Sequence, residues 1–233
     1  MLEKQQERFK ELYKRWSEEE WSSEDQLKLI RLARALTKLE PLSPIAWDAL
    51  ATSIMGVLFP PERELTGDEN EALKANPLFW EMIEAFGQEM SLDSDESAAS
   101  WNRAVCFEQA GLFQQAYEDY LRTAEIEQRG SPEKREHFVH VELFKAGEAI
   151  FKYGDYNKAV DTLKAAIQAA AEENEEGESA ITGEIWYYLA RSLEELGKVS
   201  EALDAYKKSA TLDPGAYEKA FLDAKQRLAG IDE

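Results

Sequence analysis

The amino-acid sequence predicts an all-α solenoid, a stack of helix-turn-helix repeats with an N-terminal helical pair before it and a C-terminal capping helix after it. Apolar residues recur at the three- and four-residue spacing of amphipathic helices through most of the chain. Three segments also repeat one pattern of helix, glycine-containing turn and helix, and their turns contain Gly111, Gly154 and Gly197, which are 43 residues apart. Repeated pairs of amphipathic helices at such a period are typical of an α-solenoid.

The composition predicts a folded, acidic protein. Hydrophobic residues make up 44% of the 233 residues and charged residues 32%, which is typical of a chain that buries a core. The 47 acidic and 27 basic residues give a formal net charge of -20, which repels nucleic-acid phosphates and anionic lipid headgroups. We therefore expect no nucleic acid and no membrane among the partners. Two explanations of the acidity stay open, namely solubility and attraction to a basic partner.

The sequence has no pattern of a targeting segment or of a membrane span. Its first residues, MLEKQQERFKELYKRW, lack the apolar run of a signal peptide. A run of about 18 apolar residues, as a transmembrane helix needs, does not occur. We expect a cytoplasmic protein.

Residue types that carry catalysis or bind metals form no recognisable constellation. The single cysteine, Cys106, has apolar neighbours and is expected to pack in the core. His137 and His140 lack a third strong ligand, so we interpret both as residues of a helix surface. We interpret Glu172 to Glu176 as a solvated linker, and Asp93 to Ser97 as a helix cap instead of a calcium loop. We expect no enzymatic activity, no metal and no cofactor.

Residues 1–42 are predicted to form a helical pair, a candidate degenerate repeat. Apolar positions at helical spacing mark both helices, and Ser22 and Ser23 are candidate caps of the second. These apolar positions are Phe9, Leu12, Tyr13 and Trp16 in the first helix and Leu29, Leu32, Ala33 and Leu36 in the second.

Four repeat units and a capping helix are predicted to follow. The units cover residues 44–93, 97–139, 140–182 and 183–214. The first unit contains an insertion at 59–76, which opens with two prolines that end the helix before it. This insertion is either a lid or partner-specific loop or a tolerated surface excursion. Residues 215–233 form the capping helix, whose apolar stripe is Tyr217, Phe221, Ala224 and Leu228.

The residue types around the three glycine turns follow packing rules. The glycines supply the left-handed conformation that ends a helix. Small residues recur on both helices of each pair and allow a close approach, and large apolar residues follow three or four positions later on the same face. The small residues are Ala104, Gly147, Ala190, Ala116, Ala159 and Ala202, and the large ones are Phe107, Ile150, Leu193, Tyr120, Leu163 and Tyr206.

This pattern resembles the tetratricopeptide repeat family, most closely in the last unit. The tryptophan, leucine, small residue, glycine, alanine, aromatic and proline of the family pattern correspond to Trp186, Leu189, Ala190, Gly197, Ala202, Tyr206 and Pro214. The family period is about 34 residues. We place the extra residues of the two preceding units in lengthened second helices and linkers around 125–132 and 170–177.

The resemblance implies a curved scaffold that receives a peptide in a concave groove, lined by the first helix of each pair. The implied groove residues are Trp101, Val105, Phe144, Glu148, Phe151, Lys152, Tyr187 and Arg191, with Asp48, Thr52, Glu108 and Glu194 beside them. One branch of the family clamps a terminal carboxylate with lysine, asparagine and arginine at positions that here hold Trp101, Val105, Phe144 and Glu148, so we expect no such clamp. Burial in the core is the alternative for Trp101, Phe144 and Tyr187. Arg191 and Lys152 are expected to pair with nearby glutamates.

The sequence thus predicts a protein-protein interaction module, an adaptor or chaperone-like protein that binds a peptide segment of a client protein in its groove. A basic segment and a hydrophobic segment are the two alternatives for that peptide. The alternative function is a self-associating structural scaffold of a larger assembly, which leaves a homo-oligomer open.

Overall fold

The computed structural model describes residues 23–59, 67–130, 138–173 and 180–228, and these residues form eleven α-helices without a strand. The helices are α1 (Ser23–Leu39), α2 (Pro44–Leu58), α3 (Gly67–Ala75), α4 (Pro77–Leu92), α5 (Ala98–Gln109), α6 (Phe113–Arg129), α7 (Val139–Tyr153), α8 (Tyr156–Glu173), α9 (Ala180–Glu195), α10 (Val199–Leu212) and α11 (Pro214–Leu228). The predicted all-α fold is confirmed. The helix predicted around Phe9 to Trp16 lies outside the described residues.

The chain divides into two compact units, unit 1 (Met1–Gly111) and unit 2 (Leu112–Glu233). In unit 1, α2 packs against α1 and α4, and α4 packs against α5. In unit 2, each helix from α6 to α11 packs against the next one, and α9 also contacts α7. Contact between successive helix pairs is the packing of a helical repeat.

Capping residues in unit 1 explain where α2 and α4 begin. The hydroxyl of Ser43 accepts a hydrogen bond from the Ala46 N–H at 3.4 Å, and the side-chain oxygen of Asn76 accepts one from the Leu78 N–H at 3.0 Å. Proline occupies the first position of both helices, where its missing N–H costs nothing. The predicted helix from Pro77 onwards is confirmed.

The three glycine turns have the predicted backbone conformation. Gly111, Gly154 and Gly197 have φ angles of 70°, 98° and 71°, and no other described residue has a positive φ. At Gly154 the N–H of the next residue, Asp155, donates to the Ile150 carbonyl at 3.2 Å. Lys198 donates in the same way to the Leu193 carbonyl at 2.9 Å after Gly197. These bonds satisfy the last carbonyls of α7 and α9.

The lengthened second helices are also confirmed. α6 has 17 residues and α8 has 18, whereas α10 of the last unit has 14. The capping stripe behaves as expected on α11, because Ala224 and Leu228 are buried and Tyr217 and Phe221 are half-buried.

Glu173, at the end of α8, caps the beginning of α7. Its carboxylate accepts hydrogen bonds from the backbone N–H of Val139 at 3.0 Å and of His140 at 3.2 Å, and it lies 2.6 Å from the His140 Nδ1. His140 is only 4% exposed. The interpretations of His140 as a surface residue and of Glu173 as part of a solvated linker are therefore wrong, because the long α8 brings its end back to α7. His137 lies outside the described residues.

A close approach in unit 2 lies between α7 and α8, at Gly147. A Cβ atom at Gly147 would meet the Cγ and Cδ2 atoms of Leu163 at 2.6 Å, and the Leu163 side chain is fully buried. Contacts this short do not occur between packed side chains. The small residue that the repeat pattern requires at position 147 is therefore glycine, not merely alanine.

The first prediction concerns this approach. Gly147→Ala should destabilise the folded state by about 1–2 kcal/mol, because overpacking costs about 1–3 kcal/mol and the higher helix propensity of alanine offsets only about 0.5–1 kcal/mol. Urea unfolding followed by circular dichroism measures this difference.

The control is the same substitution in a Leu163→Ala background, where the clashing atoms are absent. There, Gly147→Ala should be neutral or stabilising. Equal destabilisation in both backgrounds would contradict the steric explanation.

Candidate functional site

The predicted groove residues of unit 2 come from α7 and α9, and they differ in exposure. Phe151, Tyr187 and Arg191 are half-buried, and Lys152 is exposed. Phe144 and Glu148 are only 2% and 7% exposed. On α7, the accessible part of the predicted groove is therefore limited to Phe151 and Lys152.

Phe144 belongs to the core of unit 2, so its placement in the groove is corrected. It packs in one cluster with Ile150 and Leu163, and its ring centroid lies 5.8 Å from that of Tyr188. The helical spacing of apolar residues does not reveal which stripe a neighbouring helix covers, because α7 has neighbours in α6, α8 and α9.

Glu148 is the centre of a buried polar cluster that joins α7 to α9. Its carboxylate accepts hydrogen bonds from the Lys145 Nζ at 2.9 Å and the Tyr188 hydroxyl at 3.0 Å, and it forms an ion pair with Lys152 at 3.0 Å. The predicted pairing of Lys152 with a glutamate is confirmed. Burial alone would raise the pKa of Glu148, but the two ammonium groups outweigh it and hold that pKa below its usual value.

Tyr188 was not among the predicted site residues. Burial, followed by the charge of Glu148, raises the pKa of Tyr188, so this hydroxyl remains a donor at neutral pH. Its only signal in the sequence was its position directly after Tyr187, and a pair of adjacent tyrosines on a helix does not reveal which of them faces α7.

Arg191 is held by two aromatic rings. Its guanidinium carbon lies 5.3 Å from the ring centroid of Phe151 and 5.9 Å from that of Tyr187, within the range of cation–π attraction. Its Nη1 donates a hydrogen bond to the Tyr187 hydroxyl at 3.2 Å. The described contacts of Arg191 are with these aromatic neighbours, and the negative charge of Glu194 also acts on its guanidinium.

Tyr187 is the centre of an aromatic group that reaches the last helix. Its ring stacks on that of Tyr217 of α11 at a centroid distance of 5.1 Å and meets that of Tyr206 of α10 at 6.0 Å. The Tyr206 hydroxyl donates to a Glu194 carboxylate oxygen at 2.6 Å. Because each ring has fixed neighbours, these side chains lose little further conformational freedom when a ligand binds.

An open cleft of about 400 Å³ lies beside these rings, between α9, α10 and α11. We call it the cleft and define it by its lining residues, which are Tyr187, Arg191, Glu194, Glu195, Tyr206, Ala220 and Asp223. Two of them, Tyr187 and Arg191, were predicted as groove residues, and Glu194 was predicted beside them. Ala220 and Asp223 were not predicted, because they lie on the capping helix, which the repeat pattern treats only as a cover.

The predicted groove residues of unit 1, Trp101 and Val105, are half-buried on α5. Cys106 beside them is fully buried, with its sulfur 3.8 Å from that of Met82, and burial raises the pKa of its thiol. Cys106 is therefore the core residue that the sequence predicted.

Unit 1 also contains a buried carboxyl group that the sequence analysis did not single out. Glu89 of α4 is 6% exposed, and its Oε2 has no hydrogen-bond partner among the described residues. Burial, followed by the negative charges of Asp48, Glu96 and Asp93, raises the pKa of Glu89 to about 8. Burial and the charge of Glu96 also raise the pKa of Asp48, one of the residues expected to face the groove.

The described residues contain neither a candidate metal site nor a helix able to span a membrane. No group of three or more histidine, cysteine, aspartate or glutamate side chains is placed to hold a metal ion there. Among the helices described above, none has the length and apolarity that crossing a membrane requires.

Comparison with known proteins relates this chain to helical repeat proteins. Residues 183–216 match the family model described as tetratricopeptide repeat. Two structures described as crystal structures of MamA align with the chain at TM-scores of 0.54 and 0.55 and identities of 14% and 15%. The first alignment covers 79% of this chain and 81% of that protein, and the second covers 84% and 91%. None of the curated protein sequences matches this chain significantly.

These similarities confirm the fold that the sequence predicted. At such identities the MamA structures show the fold alone. Residues 183–216, which match the tetratricopeptide repeat model, contain Tyr187, Arg191, Glu194, Glu195 and Tyr206, five of the residues that line the cleft.

The second prediction concerns Glu89. Its pKa is about 8 in the folded protein against 4.5 for an exposed glutamate, so the folded state holds the proton more strongly. The contribution of the Glu89 carboxyl to the free energy of unfolding is fully present below pH 4.5 and is lost as the pH rises through about 8. The urea midpoint of unit 1, followed by tryptophan fluorescence, should therefore fall between about pH 6 and about pH 9.

Glu89→Gln should remove most of this fall, because the amide is neutral at every pH. Glu84→Gln is the matched control, since Glu84 is exposed on the same helix, and it should keep the wild-type dependence. If Glu89→Gln and Glu84→Gln lose stability equally with rising pH, Glu89 does not retain its proton in the folded protein.

Proposed function

We propose that this tetratricopeptide-type repeat protein is an adaptor or chaperone-like module whose cleft in unit 2 receives a peptide segment of a client protein. The observation that carries the proposal is the cleft itself, an open space of about 400 Å³ bordered by three helices and by a preorganised arginine and two tyrosines. Tyrosine and arginine are among the residues most enriched at the energetic centres of protein interfaces.

The dimensions and lining of the cleft suit part of a peptide. A few amino-acid side chains occupy a volume of this order, and small-molecule sites usually fall between about 300 and 1,000 Å³. The lining combines aromatic surface with polar groups, which is the composition of a peptide-binding surface and differs from the mainly apolar lining of a cofactor pocket.

Binding without catalysis fits the chemistry of the cleft. The residues that line it include no serine, cysteine, histidine or lysine, so a hydroxyl or thiol nucleophile paired with a histidine base is not among them. The carboxylate of Glu194 accepts the hydrogen bond of Tyr206, and Arg191 is held by two rings, so both side chains have structural partners.

Self-association is the second candidate function, and one observation favours it. Leu222, on the last described helix α11, has 49% of its surface exposed. A self-associating scaffold that uses this helix should change its mass on dilution, and Leu222→Ser should give the monomer in light scattering after size-exclusion chromatography. A monomeric wild type at all concentrations would exclude this use of α11.

The third prediction tests whether a peptide occupies the cleft. Ala220 lines the cleft and is half-exposed, so Ala220→Trp should fill part of the space without changing any charge. Peptides selected from a random library on the wild-type protein should bind this variant at least about tenfold more weakly in fluorescence polarisation, which corresponds to about 1.4 kcal/mol.

Ala216→Trp is the matched control, because Ala216 is exposed on the same helix and does not line the cleft. It should bind the selected peptides like the wild type. Equal affinity of both variants, or a library from which no peptide is selected, would contradict the proposal. Circular dichroism confirms that both variants are folded.

A further inference from the structure

We infer that the group of the client peptide that enters the cleft is a cationic side chain, that of lysine or arginine. This inference rests on the proposed function and names the chemistry that the cleft selects. Of the two alternatives for the client peptide, a basic and a hydrophobic segment, it favours the basic one.

The charges of the cleft are unequal. Glu194, Glu195 and Asp223 contribute three carboxylates, whereas Arg191 contributes one positive charge. The whole chain carries a formal net charge of -20, so the surrounding field has the same sign as the cleft. A cation is attracted both by the carboxylates of the cleft and by the net charge of the chain, because a cleft lined mainly by charges of one sign concentrates their electric field. An anionic ligand would gain from Arg191 alone and would be repelled by the three carboxylates.

Two of the three carboxylates are available to a ligand. Glu195 and Asp223 are exposed, and neither has a hydrogen bond or an ion pair with any side chain that the structure describes, a set that leaves out Arg227. Glu194 is oriented by the hydrogen bond from the Tyr206 hydroxyl at 2.6 Å. A carboxylate keeps further acceptor positions after one such bond. A cationic group in the cleft can therefore bind to more than one carboxylate oxygen.

The aromatic rings of this surface already hold a cation of the protein itself. The Arg191 guanidinium lies over Phe151 and Tyr187 at centroid distances of 5.3 and 5.9 Å. Arg191 is thus stabilised by aromatic rings and by the negative charge of Glu194, and the exposed carboxylates of Glu195 and Asp223 are left for a ligand. A client cation in the cleft therefore meets the carboxylates of Glu195 and Asp223 and the aromatic side chains of Tyr187 and Tyr206.

The experiment uses four sublibraries of random peptides in which the central residue is fixed as arginine, lysine, glutamine or glutamate. Each is bound to the immobilised full chain at low and at moderate salt. We expect the arginine and lysine sublibraries to exceed the glutamine one by about tenfold at low salt, and less at moderate salt because the contacts are exposed.

The matched variants are Glu195→Gln with Asp223→Asn, which neutralises the cleft, and Glu201→Gln with Glu218→Gln, which removes the same charge from exposed positions that do not line it. The first pair should abolish most of the preference for arginine and lysine. The second pair should keep the preference for arginine and lysine, because its residues do not line the cleft. If the preference came only from the net charge of the protein, both pairs would reduce it equally.

Three results would overturn the inference. Enrichment of the glutamate sublibrary would mean that Arg191 selects an anion. Equal binding of all four sublibraries would reject the cationic group and leave the peptide-binding proposal standing, provided that Ala220→Trp still weakens binding. Binding of none of them would overturn the inference and the proposed function together.

Discussion

The absence of a side chain at Gly147 is the constraint on which unit 2 depends. Because the Leu163 side chain lies within 2.6 Å of where a Cβ atom would stand, the backbone of α7 packs directly against a side chain of α8 at this point. The next residue, Glu148, is thereby fixed with its carboxylate among donors from α7 and from Tyr188 of α9. One turn further, Phe151 provides a ring for Arg191. A steric requirement in the core thus determines the position of a charged group at the surface.

The polar cluster around Glu148 connects α7 to α9, and the aromatic group around Tyr187 connects α9 to α11. Glu148 is costly to bury, and this cost is offset because Lys145, Lys152 and Tyr188 all approach its oxygens. Tyr187 continues the connection by stacking on Tyr217 of the last helix. The cleft lies where this chain of contacts ends. The capping helix therefore has a second role besides covering the core, since Ala220 and Asp223 form one side of the cleft.

The comparison between sequence and structure separates two kinds of information. The glycine turns, the long second helices and the burial of Ala224 and Leu228 were predictable, because local backbone chemistry and helical periodicity determine them. Phe144 was not predictable as a core residue, because periodicity places it on an apolar stripe without saying which helix covers that stripe. Glu173 and His140 were misinterpreted for a related reason, since their partnership joins residues 33 positions apart.

The sequence by itself determined the all-helical repeat, its turns and an acidic surface, because these follow from residue spacing, glycine conformation and composition. It also identified Tyr187 and Arg191 as residues of interest. Only the tertiary structure decided that Arg191 lies over Phe151, that Tyr188 donates to the buried Glu148, and that Glu195 and Asp223 meet at one cleft. The physical reason is that these contacts join side chains of different helices. Their distances depend on how closely each pair of helices approaches, and no single helix encodes that approach.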